Sequence, residues 1–155
     1  MVQLIGTVDQ TCHVDGRDLE NFCFYGTQTF KQLEQNLRNK LQNGKTCLGT
    51  WLLIHDPSVI EIFGLAGFDF AIIDMEHGSH DLSDLADLIR SAELSEITPL
   101  VRPCGVDGAS ILKILDCGAH GIMVPNISSV EEVDQLKKLC FYPPMGKRGH
   151  SPFTR

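Results

Sequence analysis

The sequence predicts an α/β fold of four consecutive βα units around a parallel sheet. Two observations carry this expectation: short apolar runs alternate with segments of helical periodicity from residue 46 to residue 140, and the connections between them are short. Such alternation requires right-handed crossovers, which set neighbouring strands parallel. Two architectures satisfy it, a small open sheet with helices on both faces and half of an eight-unit barrel.

Residues 1–29 mix Asp9, Asp15, Asp18 and Glu20 with scattered apolar positions such as Phe22, Phe24 and Tyr25. No period emerges, so they read as an N-terminal extension to a domain spanning 30–155. Phe30, Leu33, Leu37 and Leu41 then recur at helical spacing, and Asn43-Gly44 stops the helix. It reads as a cap over the base of a sheet.

Thr46 to Ile54 is the first strand, and Asp56-Pro57 opens a helix that runs to Ala66. Phe68 to Met75 is the second strand. Asp81 to Leu94 is a helix with Leu82, Leu85, Leu88 and Ile89 on one side, followed by a strand from Thr98 to Pro103. Asp107 to Asp116 is helical and closes at Cys117-Gly118. Gly121 to Pro125 is the fourth strand, and Ser128-Ser129-Val130-Glu131-Glu132 opens the last helix, through Cys140, with a capping-box pattern. No glycine-rich phosphate loop follows the first strand, which weakens a dinucleotide-binding version.

Bulk properties narrow the function classes. A net charge of -7 with dispersed Lys and Arg argues against nucleic acid and anionic membranes as partners. No run approaches membrane-spanning length. Six cysteines form no C-x-x-C pair and no zinc-like spacing with the six histidines, and Met1 to Gln10 lacks the pattern of a signal peptide. A reducing, cytoplasmic setting is the expectation.

The segment Phe68-Asp-Phe-Ala-Ile-Ile-Asp-Met-Glu-His-Gly78 carries the strongest functional signal, an apolar strand that stops in Asp74, Glu76 and His77. The loops beyond parallel strands form the crevice in which α/β folds place chemistry. Reading all the strand ends adds His55, Arg102 and Asn126 to the same rim. A histidine can move a proton, a carboxylate can orient it, and an arginine can grip an anion with parallel hydrogen bonds. Together these suit proton transfer on a small 2-oxo acid. Structural roles compete: Asp74 and Glu76 as helix caps or partners of Arg90, Arg102 as an ion-pair partner, and the cysteines as small buried residues. Asp116, at a helix C-terminus, calls for a compensating partner.

Four motifs in order, Ile73-Asp74-Met75-Glu76-His77-Gly78, Pro99-Leu-Val-Arg102-Pro103, Leu115-Asp116-Cys117-Gly118-Ala119-His120-Gly121-Ile122-Met123-Val124-Pro125 and Tyr142-Pro-Pro-Met-Gly-Lys-Arg-Gly149, resemble the HpcH/HpaI aldolase family of metal-dependent class II pyruvate aldolases. The resemblance covers roughly residues 31–151. It implies the first four βα units of a TIM (β/α)8 barrel, as a half-barrel or truncated barrel with an N-terminal cap helix. It further implies a carbon-carbon lyase that cleaves or forms 2-oxo acids through a pyruvate enolate, with a 2-oxo acid and an aldehyde as small-molecule partners, in a homo-oligomer.

By the same resemblance His77 is the catalytic base, Asp116 the carboxylate that raises its basicity, and Arg102 the residue that holds the pyruvyl group and stabilises the enolate. Asp74 joins Arg102 as a substrate-binding contact. The family's divalent metal, Mg2+ or Mn2+, is held by a glutamate and an aspartate after strands five and six. No residue of this chain matches them, so no metal ligand is assigned. A non-catalytic short form acting as a binding or oligomerisation module is the alternative, and a lyase for citryl- or malyl-thioesters a more distant one.

Overall fold

The computed structural model describes residues 31–153. The expected extension at 1–29 lies outside them. The elements run α1 (Lys31–Gln42), β1 (Gly49–Leu52), α2 (Pro57–Leu65), β2 (Phe70–Asp74), α3 (Leu82–Leu94), β3 (Thr98–Arg102), α4 (Gly108–Asp116), β4 (Gly121–Ile122) and α5 (Val130–Cys140). Helix starts are built as their sequences dictate. Asp56 accepts the Ser58 amide at 2.9 Å beside Pro57, and Asp107 accepts the Ser110 amide at 2.7 Å. Ser129 and Glu132 close a reciprocal capping box on α5. In that box the Ser128 amide and hydroxyl, with the Ser129 amide, hold the Glu132 carboxyl below the usual range against the opposing push of burial.

The strands form one parallel sheet in the order β1-β2-β3-β4. Sequential order with no reversal is the order of a barrel wall, whereas an open doubly wound sheet reverses at a switch point. The helices agree with it. Ile60 of α2, Leu85, Leu88 and Ile89 of α3, Ile111 and Ile114 of α4 and Leu136 of α5 all pack in one core with Leu52, Ala71, Ile73, Val101, Ile122 and Val124. Those strand residues point to one face, so α2 to α5 form a single outer layer. Each of these large side chains contributes about 1.5–3 kcal/mol on full burial.

The alternate strand positions, Gly49 and Trp51, Phe70 and Ile72, Leu100, and Met123, point to the other, inner face. Phe70, Ile72, Leu100 and Met123 form a second cluster there with Cys47 and Leu37, and Leu41 packs against it. This is the cap that the spacing of α1 predicts. Lys40 of α1 pairs with Asp69, just before β2, which sets the cap at the edge where the strands begin. Gly49 is required by packing, because a Cβ there would fall 2.0 Å from the Phe70 ring. Burial on both faces explains why β2 reads as an apolar run up to Asp74 rather than as an alternating one.

Candidate functional site

Asp74 ends β2, Arg102 ends β3, and the two are direct partners across the sheet. Their side chains project to the inner face at the edge where the strands finish. Arg102 donates from Nε to Asp74 Oδ1 at 2.8 Å and from Nη2 to Oδ2 at 2.5 Å, a bidentate pair. The Asp74 carboxylate is 1% exposed as a residue, and it also accepts the backbone N–H groups of Glu76 at 3.0 Å and His77 at 3.2 Å. One side chain thus fixes the guanidinium and folds the loop that carries His77. Burial alone would push the Asp74 carboxyl up. The Arg102 hydrogen bonds, the His77 and Glu76 amides and the Arg102 charge together outweigh it and hold the carboxyl below the ordinary range. The same contact pushes Arg102 further up.

The loop admits only glycine at position 78, where a Cβ would stand 2.1 Å from the Asp74 carbonyl oxygen, the acceptor of the Gly78 amide at 3.1 Å. Glu76 turns back to the arginine, with Oε2 3.2 Å from Nη1 of Arg102 and 3.9 Å from Nε2 of His77. The His77 side chain is 70% exposed, free to meet a ligand. A third group completes the arrangement: the ring of Trp51 lies 4.3 Å from Cζ of Arg102.

The other histidines, Asn126 and Arg90 have contacts or conformations of their own. Nε2 of His55 lies 3.2 Å from Asp84 Oδ1, and Asn126 lies beyond β4 in the left-handed region at φ 59°. His80 is buried, its Nε2 3.0 Å from the Leu52 carbonyl, so it ties β1 to the loop after β2. Arg90 pairs with Asp87 and not with the strand-end acids. His120 is 3.0 Å from Glu93 in the interior.

Asp116 is not brought to this cluster. It ends α4, which runs back against the strands, and only Cys117 to His120 separate it from the start of β4. It therefore stands at the edge where the strands begin, on the order of 15 Å of strand length from Arg102. The compensating partner that its helix-end position calls for is Arg148, which donates from Nη2 to Oδ1 at 2.7 Å. Among the described residues no group of three or more His, Cys, Asp and Glu side chains could hold a metal ion. No helix among them is long and apolar enough to cross a membrane.

Glu76 reads from the sequence as a rim carboxylate, a helix cap or a partner of Arg90, and neither its contact with Arg102 nor the place of Trp51 is read there. The available signal for Trp51 is its place two residues after a glycine on a strand, which sets it on the inner face.

Residues 47–154 match the family HpcH/HpaI aldolase/citrate lyase. A hydroxypyruvate/pyruvate aldolase of Agrobacterium fabrum is 36% identical over 116 residues, which are 75% of this chain and 44% of that protein. Among solved structures, an HpcH/HpaI aldolase from Desulfitobacterium hafniense superposes with a TM-score of 0.70 at 36% identity, over 74% of this chain and 45% of its own. The citrate synthase SbnG does so with a TM-score of 0.69 at 41% identity, over 74% and 47%. The chain spans about half the length of the curated relatives it matches.

Proposed function

Because the chain belongs to the HpcH/HpaI aldolase/citrate lyase family, we propose that its strand-end cluster handles the enolate of pyruvate or a related small 2-oxo acid, as part of the active site of an aldolase. The observation that carries the reading is the Asp74–Arg102 pair, which fixes a cation at the rim and, through the same carboxylate, the loop that bears His77.

The chemistry follows from those positions. Cleavage of a 4-hydroxy-2-oxo acid begins when a base takes the proton of the 4-hydroxyl, and His77 is the exposed base of the cluster. The bond between C3 and C4 then breaks, the aldehyde leaves, and the electron pair becomes an enolate with its charge on the C2 oxygen. Arg102 stabilises that charge because its guanidinium is held in place before the charge develops. Asp74 acts through Arg102 and the loop, since Arg102 and two backbone amides already engage its oxygens. The substrate anion competes with Glu76 for Nη1 of Arg102.

Asp116 enters this scheme only from a second copy of the chain, because its own His77 belongs to the opposite edge of the sheet. That requirement and the exposed Leu48, Leu53 and Ile54 along β1 support a homo-oligomer. The divalent metal implied by the family finds no ligand set among the described residues, so no step here runs through it. A cytoplasmic setting remains part of the reading. A second reading, a binding or oligomerisation module without catalysis, draws on the same exposed apolar edge.

Incubating the purified chain with pyruvate and glyoxylate, with and without Mg2+ or Mn2+, separates the two. Aldol product that disappears in His77→Ala supports the aldolase. Absence of product, with pyruvate still bound, supports the module.

A further inference from the structure

Three groups fix the guanidinium of Arg102, and two of them are acids. Asp74 takes the edge formed by Nε and Nη2, and Glu76 faces Nη1. The third is Trp51, over whose ring Cζ of the guanidinium lies 4.3 Å from the centroid. Trp51 comes from β1 and Arg102 from β3, so the contact spans two strand spacings, roughly 10 Å. Register places Trp51 beside Ile72, one inner-face position below Asp74. A long flat side chain rising from that point passes over β2 and meets the guanidinium plane. An aliphatic residue at position 51 offers no ring to that group.

We propose that Trp51 is a positioning residue of the 2-oxo-acid site: its indole sets the plane of the Arg102 guanidinium so that the Nη1 edge, which Asp74 leaves open, faces the incoming anion. This rests on the function proposed above for Arg102. Asp74 alone fixes two nitrogens but leaves the plane free to tilt about the line between the carboxylate and Cζ. A ring stacked on one face removes that freedom, and guanidinium groups favour such stacking electrostatically as well. At 42% exposure the indole also borders the space above the arginine, where a ligand's short apolar group would lie. Trp51 is the only tryptophan of the chain, so its fluorescence reports on the site alone.

The test begins without ligand. The full chain, Trp51→Phe and Trp51→Leu are treated with phenylglyoxal, and arginine modification is mapped by peptide mass spectrometry. Arg102 is expected to react slowly in the wild type, where its side chain is 9% exposed, and in Trp51→Phe. In Trp51→Leu it is expected to react several-fold faster, with exposed Arg90 unchanged and buried Arg148 still protected as the control for folding. Equal protection of Arg102 in all three chains overturns the proposal. Should Arg148 become reactive in Trp51→Leu, the wild-type fold is probed from the other side with Arg102→Lys, whose Trp51 emission must differ from wild type; an unchanged spectrum overturns the proposal equally.

Titration with pyruvate then separates this inference from the function beneath it. Affinity is expected to fall about twofold to thirtyfold in Trp51→Leu, the range from an exposed to a desolvated cation–π contact, and to be largely retained in Trp51→Phe. If wild-type chain binds no pyruvate while Arg102 is still unmasked in Trp51→Leu, the function fails and the positioning role stands.

Discussion

Replacing Arg102 by methionine keeps most of the side-chain volume and removes the charge, which leaves Asp74 buried beside an apolar neighbour. Two charge-assisted hydrogen bonds disappear. At about 1.5–3 kcal/mol each, their loss amounts to about 3–6 kcal/mol, in line with the roughly 3–5 kcal/mol for breaking one side of a buried ion pair. Either value is a large part of a domain's total stability of about 5–15 kcal/mol. Urea unfolding at neutral pH measures it.

The pH dependence gives the sharper signature. In the wild type the carboxyl of Asp74 lies below its unfolded value of about 3.9, so its contribution is complete above that pH and is lost as pH falls through the folded value. In Arg102→Met, burial is opposed only by the His77 and Glu76 amides, so the carboxyl should move up and lowering the pH toward 4 should relieve the loss instead of adding to it. Adding Asp74→Asn to Arg102→Met should restore at least half of the lost stability at neutral pH. A loss below about 1 kcal/mol in the single variant, or no recovery in the double one, would refute the idea that Asp74 and Arg102 form one buried unit.

Three further outcomes follow from the same geometry. Glu76→Gln removes the carboxylate that competes at Nη1 of Arg102, so calorimetry should show pyruvate binding about twofold to fivefold tighter, the worth of a partly exposed ion pair. Gly78→Ala forces a Cβ against the Asp74 carbonyl, and thermal unfolding should show about 1–3 kcal/mol of destabilisation together with loss of any His77-dependent activity. Ser129→Ala breaks the capping box of α5 and should cost about 1 kcal/mol by urea unfolding, with pyruvate binding unchanged because the box lies outside the cluster.

Much of this was legible in the sequence, because period and punctuation are local. Asp56-Pro57, Asn43-Gly44 and Ser129 with Glu132 mark helix ends through contacts within four residues, and the structure places helix ends there. That Asp74 and Arg102 share an edge of the sheet was legible too, since both stop strands that a short crossover makes neighbours, whereas their direct bond was not.

What stayed hidden was non-local. Trp51 meets Arg102 across an intervening strand, and no spacing along the chain encodes that reach. Asp116 shows the opposite failure: a motif gives order along the chain but not the end of the sheet. A residue at a helix C-terminus returns to where strands begin, whereas His77 follows the end of one. The bidentate bond by which Asp74 supports Arg102 is likewise a contact that residue type alone does not reveal.

The central claim is that His77 and Arg102 share one enolate-handling rim. Exchange of the pyruvate methyl protons for deuterium, followed by proton NMR in D2O, tests it without any aldehyde. The account predicts exchange above the buffer rate with wild-type chain, and a return to the buffer rate in both His77→Ala and Arg102→Lys. Exchange that persists undiminished in both variants would contradict it.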